Sequence, residues 1–371
     1  MSKHLACVLC VFLAGAGRAA AQSTVAQLGE RGWQAVQAGD SDRAVSAFRE
    51  ALTLRPRDAA LNLGAGVAAH MQGREDDATT FLQRAVQLDP TLVEASTLLG
   101  EIAYRQGNLD LAIKTYEAAL TRSPKNPQLK QRLDAWKNEA SAYSSFETVK
   151  DDRFAVMFEG PVEQKLATHA TTVLGNAFWR IGKVIGAYPS NPINVILYTQ
   201  KQFRDITGAP EWAGGGFDGQ IRMPVRGALQ NLDEFDRLLT HELTHAILHS
   251  VASRNLPAWV NEGIAMYFEG YDAVRVERAL AAAHLFVPLS NLRNSYGRLN
   301  ADQAAVAYAE SFFAVSVLLD RIGPTGLGQL LQDLNGGATI EQAVERFGFT
   351  FADFEAKLAR RVGVQVRATE R

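Results

Sequence analysis

His241 and His245 stand four residues apart, and Glu242 follows the first of them directly. The surrounding segment 234–250, EFDRLLTHELTHAILHS, has helical periodicity. Residues four apart share one helix face, so both imidazoles can address a single metal ion. Imidazole nitrogen suits Zn²⁺, and a catalytic zinc site keeps one coordination position open for water or substrate. Glu242, next along the helix, is then placed to act on that water. An HExxH pair also arises by chance in an ordinary amphipathic helix. Support comes from Glu262, seventeen residues after His245, within PAWVNEGIAMY (257–267). This stretch reads as a second helix that a short turn folds back antiparallel to the first. Glu262 would complete a His₂Glu site for one zinc per chain.

Other residues compete for roles and are weighed the same way. His249 lies eight residues after His241, but helical rise puts it about 6 Å beyond His245 along the axis. A wall or surface role suits it better than a third ligand. Gly214, Gly216 and Gly219 match GxGxxG, yet a strand follows them where a dinucleotide site needs a helix. They read as a turn. A tetrahedral oxyanion needs a hydrogen-bond donor, and Tyr308 is the candidate. The alternative is a helix tyrosine packed at the domain surface.

The elements that must hold these residues begin near Phe146. Residues 153–159 (RFAVMFE) and 193–199 (INVILYT) read as strands, 162–186 as a helix, and 219–225 (GQIRMPV) as a third strand. Pro224 places that strand at an edge or at its own end, where an extended substrate could pair with it. Residues 304–322 carry an apolar helical stripe that Gly323-Pro324 stops. Shorter helices are expected over 327–334, 340–347 and 351–362, with Thr339 and Thr350 as N-caps. Strands followed by helices predict an α+β domain with a helical C-terminal lobe over 146–365.

The first third repeats itself every 34 residues. Gly32, Gly66 and Gly100 form one column, and Gly39, Gly73 and Gly107 another. Ala44, Ala78 and Ala112, then Ala51, Ala85 and Ala119, then Pro56, Pro90 and Pro124 keep the same interval. The large position holds Phe48, Leu82 and Tyr116. Small residues at these intervals let paired helices approach, and the prolines end each second helix. This pattern resembles the tetratricopeptide repeat family over 25–126, with 127–141 as a solvating end helix, so that an all-α domain of three repeats spans 25–141. The resemblance implies a superhelical surface that binds a peptide or a partner protein. The plainer alternative is a helical spacer.

The second domain resembles the gluzincin metallopeptidases, specifically the peptidase MA-like family, through THELTHAIL, PAWVNEGIAMYFEG and Tyr308-Ala309-Glu310-Ser311-Phe312. The resemblance implies a zincin-like fold and peptide-bond hydrolysis. It makes His241, His245 and Glu262 the zinc ligands, and Glu242 the base that assists attack of the metal-bound water and then donates a proton. Some gluzincins place an aspartate four residues after the ligand glutamate to orient a ligating histidine. Here that position is Met266, so the orienting group comes from elsewhere, a backbone carbonyl being one source, or the orientation is weaker.

Composition narrows the setting. Of 371 residues, 47% are hydrophobic and 21% charged, as in ordinary globular chains. The 38 basic against 40 acidic residues give no basic face for nucleic acid. The first 21 residues read as a secretory signal peptide, with an apolar run over 5–14 and Ala19-Ala20-Ala21 before the cleavage point; the alternative is a retained membrane anchor. Cleavage removes Cys7 and Cys10, the 2 cysteines of the chain. No later segment is apolar enough to span a bilayer. The expectation is a periplasmic or secreted zinc metallopeptidase whose repeats bind substrate or partner. The competing reading is a non-catalytic repeat scaffold or chaperone with a degenerate protease-like domain. Hydrolysis of a non-peptide amide, such as a cell-wall peptide, fits the same motif.

Overall fold

A computed structural model describes residues 24–364, apart from Glu211, Arg226, Ser253, Arg254 and the side chains of 161–162. The proposed signal peptide lies outside the described residues. The chain divides between Ser141 and Ala142 into two compact units.

The first unit is a run of helices: α1 over 24–37, α2 Ser41–Leu54, α3 Ala59–Met71, α4 Glu75–Leu88, α5 Val93–Arg105, α6 Leu109–Arg122 and α7 Pro127–Tyr143, the last ending just beyond the division. The 34-residue columns do what their sizes require. A Cβ on Gly32 would sit 2.6 Å from the Phe48 ring, on Gly66 2.7 Å from Leu82, and on Gly100 2.5 Å from Tyr116. Both alanine columns are buried in the helix seams. Gly39, Gly73 and Gly107 take φ of 73°, 67° and 76° between the paired helices, a conformation other residues adopt at a cost. Successive repeats are also tied by polar contacts. Gln72 Nε2 donates to Asp42 Oδ1 at 2.5 Å and Gln106 Nε2 to Asp76 Oδ1 at 3.4 Å. On α7, Trp136 stacks on Tyr104 at 4.9 Å, and Glu139 accepts from the Tyr104 hydroxyl at 2.7 Å. The end helix therefore closes the third repeat with one buried face and leaves the other in water.

The second unit holds a five-stranded sheet of order β1-β2-β3-β5-β4: β1 Glu147–Lys150, β2 Phe154–Phe158, β3 Ile193–Tyr198, β4 Gly216–Phe217 and β5 Ile221–Pro224. The central pairs β2–β3 and β3–β5 are parallel; the outer pairs are antiparallel. Alternation sorts the side chains. Val195, Leu197, Ile221 and Met223 enter the main core with α8 Pro161–Ile185 and α10 Leu232–Val251. Ile196 and Tyr198 face the other side, where Phe203 of α9 Gln200–Thr207 covers them. Arg222 is buried on that side and paired with Asp218 at 3.0 Å and the Tyr198 hydroxyl at 2.5 Å, which offsets the cost of burying its charge.

Three strands were expected and are present, and two more flank them. The addition matters at the edge. β4 pairs with β5 through Gly216↔Arg222 and Phe217↔Ile221. The edge beside α10 therefore belongs to Gly216–Phe217, and β5, the strand expected at the edge, is covered at Ile221 and Arg222. Its end at Pro224 is as expected.

Two further helices bring the site together. α11 Ala258–Glu269 packs on α10 and on α13 Ala301–Asn335, with α12 Ala273–Ala283 between them in sequence. Gly263 permits that contact, because a Cβ there would lie 2.3 Å from the Ser311 carbonyl oxygen. α13 breaks at Gly323, whose φ of 66° and ψ of 178° are not helical. Helices α14 Ile340–Glu345 and α15 Phe351–Arg361 follow, capped by Thr339 and Thr350 as the sequence predicts.

Candidate metal centre

α10 starts at an Asn231 cap that accepts from the Glu234 N–H, with Asp233 and Glu234 in the first turn against the positive helix end. Two turns on, His241 and His245 project from one face, their rings 4.7 Å apart and nearly perpendicular. Glu262 reaches them from α11. Its Oε2 lies 3.4 Å from His241 Nε2 and 3.3 Å from His245 Nε2. Neither contact has hydrogen-bond geometry, and Glu262 Oε2 is buried without a hydrogen-bond partner. Tetrahedral zinc with bonds of about 2.0–2.1 Å sets its ligand atoms about 3.3–3.4 Å apart. Glu262 Oε2 has that spacing to both imidazoles, all three donor atoms lie within 4.8 Å of one another, and two neutral imidazoles with one carboxylate form a donor set that zinc accepts. Among the described residues they are the group able to hold a metal.

Charge agrees with this reading. Burial alone would raise the Glu262 carboxyl, but the two imidazoles overcome it and hold the group far below the usual range. Burial likewise opposes a proton on His241, yet Glu262 and Glu269 push that imidazole up to about 10. Without a cation the site draws protons, and a bound divalent ion would take their place. Glu242 is 5% exposed. Burial raises its carboxyl, with His241 and His245 working in the opposite direction. Its Oε2 has no partner, and a Cβ on Gly215 would stand 3.0 Å from its Oε1. The chain leading into β4 therefore lies directly on Glu242.

Tyr308 reaches the centre from α13. Its ring is 6.3 Å from that of His241, 6.4 Å from Trp212 and 5.4 Å from Tyr296. Burial first, then Glu262 and Glu242, raise its phenol well above the ordinary value, so it stays a hydrogen-bond donor at all moderate pH. His249 lies outside the donor group; it is exposed, with its ring 5.7 Å from Phe217.

Three residues escaped the sequence reading. Glu269, whose side chain is 6% exposed, accepts from His241 Nδ1–H at 3.0 Å and supplies the orienting carboxylate that Met266 does not. It lies two helical turns after Glu262 on the same face, and that seven-residue spacing is its signal in the sequence. Trp212 and Tyr296 come from irregular segments and carry no periodic signal.

Comparison with known proteins adds the following. A family model described as the Peptidase MA superfamily matches residues 173–362. Two tetratricopeptide repeat models match 30–92 and 69–133. The small glutamine-rich tetratricopeptide repeat-containing protein 2 of Mycosarcoma maydis is 29% identical over 119 residues, which are 32% of this chain and 34% of that protein. The chain thus spans about a third of the curated relative it matches. Among solved structures, the first TPR domain of human RPAP3 is 20% identical, with 32% of this chain and 94% of that chain covered at a TM-score of 0.30. The type III secretion translocator chaperone SycD of Yersinia enterocolitica is also 20% identical, with 32% and 88% covered at 0.31.

Proposed function

Because the chain belongs to the Peptidase MA superfamily, with tetratricopeptide repeats ahead of the matched domain, we propose that it is an exported zinc-dependent metallopeptidase. The observation that carries this is the convergence of His241, His245 and Glu262 beside Glu242. Bound there, Zn²⁺ would supply Lewis acidity toward water and toward the scissile carbonyl.

The remaining work falls to side chains. Glu242, with one oxygen unpartnered and its carboxyl raised by burial, takes the proton of the attacking water and passes it to the leaving amine. Tyr308 donates a hydrogen bond from its phenol to the oxyanion, and loss of such a donor costs ~10²–10³ in rate. Glu269 holds the His241 ring so that Nε2 faces Glu262. The edge at Gly216–Phe217 aligns an extended peptide against Glu242 by main-chain hydrogen bonds.

The repeats bind a protein or peptide, either substrate or partner, in this reading. Export rests on the apolar run over 5–14 and the three alanines before the cleavage point. No described helix is long and apolar enough to cross a membrane.

Zinc content of the purified full chain, followed by casein cleavage, tests the proposal. About one zinc per chain, lost in His245→Ala, is expected. Cleavage present in the wild type and absent in Glu242→Gln completes it. A wild type without zinc after reconstitution would overturn the hydrolase reading.

A further inference from the structure

The segment 284–300 between α12 and α13 has two short 3-10 turns and is held at several points. The Val287 N–H donates to Glu310 Oε1 at 3.2 Å and the Leu289 N–H to Glu355 Oε1 at 2.7 Å. The Arg293 carbonyl accepts the Ala258 N–H at 3.0 Å, where the helix bearing Glu262 begins. The second turn, Tyr296–Arg298, then buries Tyr296 against α13.

Tyr296 grips α13 on either side of Tyr308. Its ring stands edge-on to the Tyr308 ring, 5.4 Å between centroids and at 90°. Its hydroxyl lies 2.7 Å from Ser311 Oγ, which is 2.6 Å from the Ala307 carbonyl oxygen. A serine hydroxyl has one proton and a carbonyl can only accept, so Ser311 donates to Ala307. Tyr296 must therefore donate to Ser311. Its proton is held there, with the Leu292 carbonyl a longer second acceptor at 3.5 Å, and Tyr296 is not itself a donor to substrate. Ser311 also presses on the metal helix, through the close contact of its carbonyl with Gly263. One anchored side chain thus fixes Tyr308 relative to Glu262.

We propose that Tyr296 is a positioning residue for Tyr308, holding its phenol where the oxyanion develops by an edge-on ring contact and a directed hydrogen bond to Ser311. The proposal rests on the peptidase reading for its effect on rate, and on geometry alone for its effect on the Tyr308 ring. A misplacement of about 1 Å in such a group can cost ~10²-fold, so loss of the hydroxyl should cost less than loss of Tyr308.

A double-mutant cycle on zinc-loaded full chain, with casein as substrate, measures this. Tyr296→Phe should lower kcat roughly tenfold with KM within about twofold, and Ser311→Ala should reproduce it. Tyr308→Phe should cost ~10². Tyr296→Phe added to Tyr308→Phe should cost nothing more, since there is no phenol left to place. A full repeat of the single-mutant loss in that background would show a merely structural role and overturn the proposal. A second arm needs no activity. In metal-free chain carrying 3-fluorotyrosine, the ¹⁹F resonance assigned by Tyr308→Phe should shift or split in Tyr296→Phe and in Ser311→Ala. An unmoved resonance would overturn the proposal whatever casein shows. A wild type inactive on casein with a moved resonance would instead place the failure in the peptidase reading.

Discussion

Glu269 Oε2 accepts the His241 Nδ1–H at 3.0 Å, seven residues along α11 from Glu262, which lies 3.4 Å from the other nitrogen of the same ring. One helix therefore supplies a carboxylate to each side of one imidazole. The Nδ1 contact selects the tautomer whose Nε2 lone pair faces the donor group, and it stops the ring from turning. His245 has no such partner on Nδ1. The two histidines are not equivalent, and His241 has the better fixed ring.

Glu269→Ala should therefore weaken zinc binding by ~10–100-fold, the usual cost of losing the group that orients a ligand. Competition against a chromogenic chelator at fixed pH reads this directly. Folding should be nearly unaffected by circular dichroism. An affinity within a factor of two of wild type would show that His241 is oriented by packing alone.

Metal removal should lower the melting temperature. Zinc that binds only the folded chain stabilises it by about 2.7 kcal/mol at a hundredfold excess over Kd, and each kcal/mol moves a domain of this size by roughly 2–4 °C. A rise of about 5–10 °C on adding zinc to chelator-treated protein is expected for the second unit. His245→Ala should show almost none of it. An equal rise in that variant would place the bound metal somewhere other than His241, His245 and Glu262.

The grouping of His241, His245 and Glu262 was legible in the sequence because helix geometry makes a spacing of four meaningful without tertiary knowledge. Glu269 was not. Positions four and seven after Glu262 share its face, and only the packing of α11 on α10 decides that Met266 enters the core while Glu269 meets His241. The repeats were legible for a related reason, since a column of glycine facing a column of Phe48, Leu82 and Tyr116 reports contact by size alone. The sheet edge failed because β4 is two residues long, too short to show alternation. Tyr296 failed because a 3-10 turn has no run of sequence over which to show a period.

Gly263→Ala and Gly175→Ala should move stability in opposite directions. In a helix interior alanine is better than glycine by about 1 kcal/mol. At Gly175 in α8 a Cβ would meet nothing within 4 Å, so the full gain is expected. At Gly263 it would meet the Ser311 carbonyl oxygen at 2.3 Å and Val315 at 2.5 Å. That backbone atom cannot move aside cheaply, and overpacking of this kind costs about 1–3 kcal/mol. Because Glu262 is the neighbouring residue, Gly263→Ala should also weaken zinc binding. Urea denaturation of the two variants checks the signs, and stabilisation of both would show that α11 and α13 part without cost.

Glu310 gives the second unit a pH dependence of its own. It is 0% exposed, accepts the Val287 N–H through one oxygen and has no partner for the other. Burial pushes its carboxyl up to about 7, against the smaller effect of the Val287 hydrogen bond. Between the ordinary carboxyl range and pH 7 the folded chain holds a proton that the unfolded chain has released. Raising the pH therefore favours unfolding, and the stability present at pH 4 is lost as pH rises through 7. Glutamine cannot ionise, and it keeps an acceptor for Val287. Glu310→Gln should match wild type near pH 4 and exceed it by roughly 1–3 kcal/mol at pH 8. The histidines of the metal centre titrate in both proteins, so the difference between the two urea curves isolates Glu310. A constant offset between pH 4 and pH 8 would mean that the carboxyl keeps its charge state on folding, with the segment 284–300 opening to let water reach it.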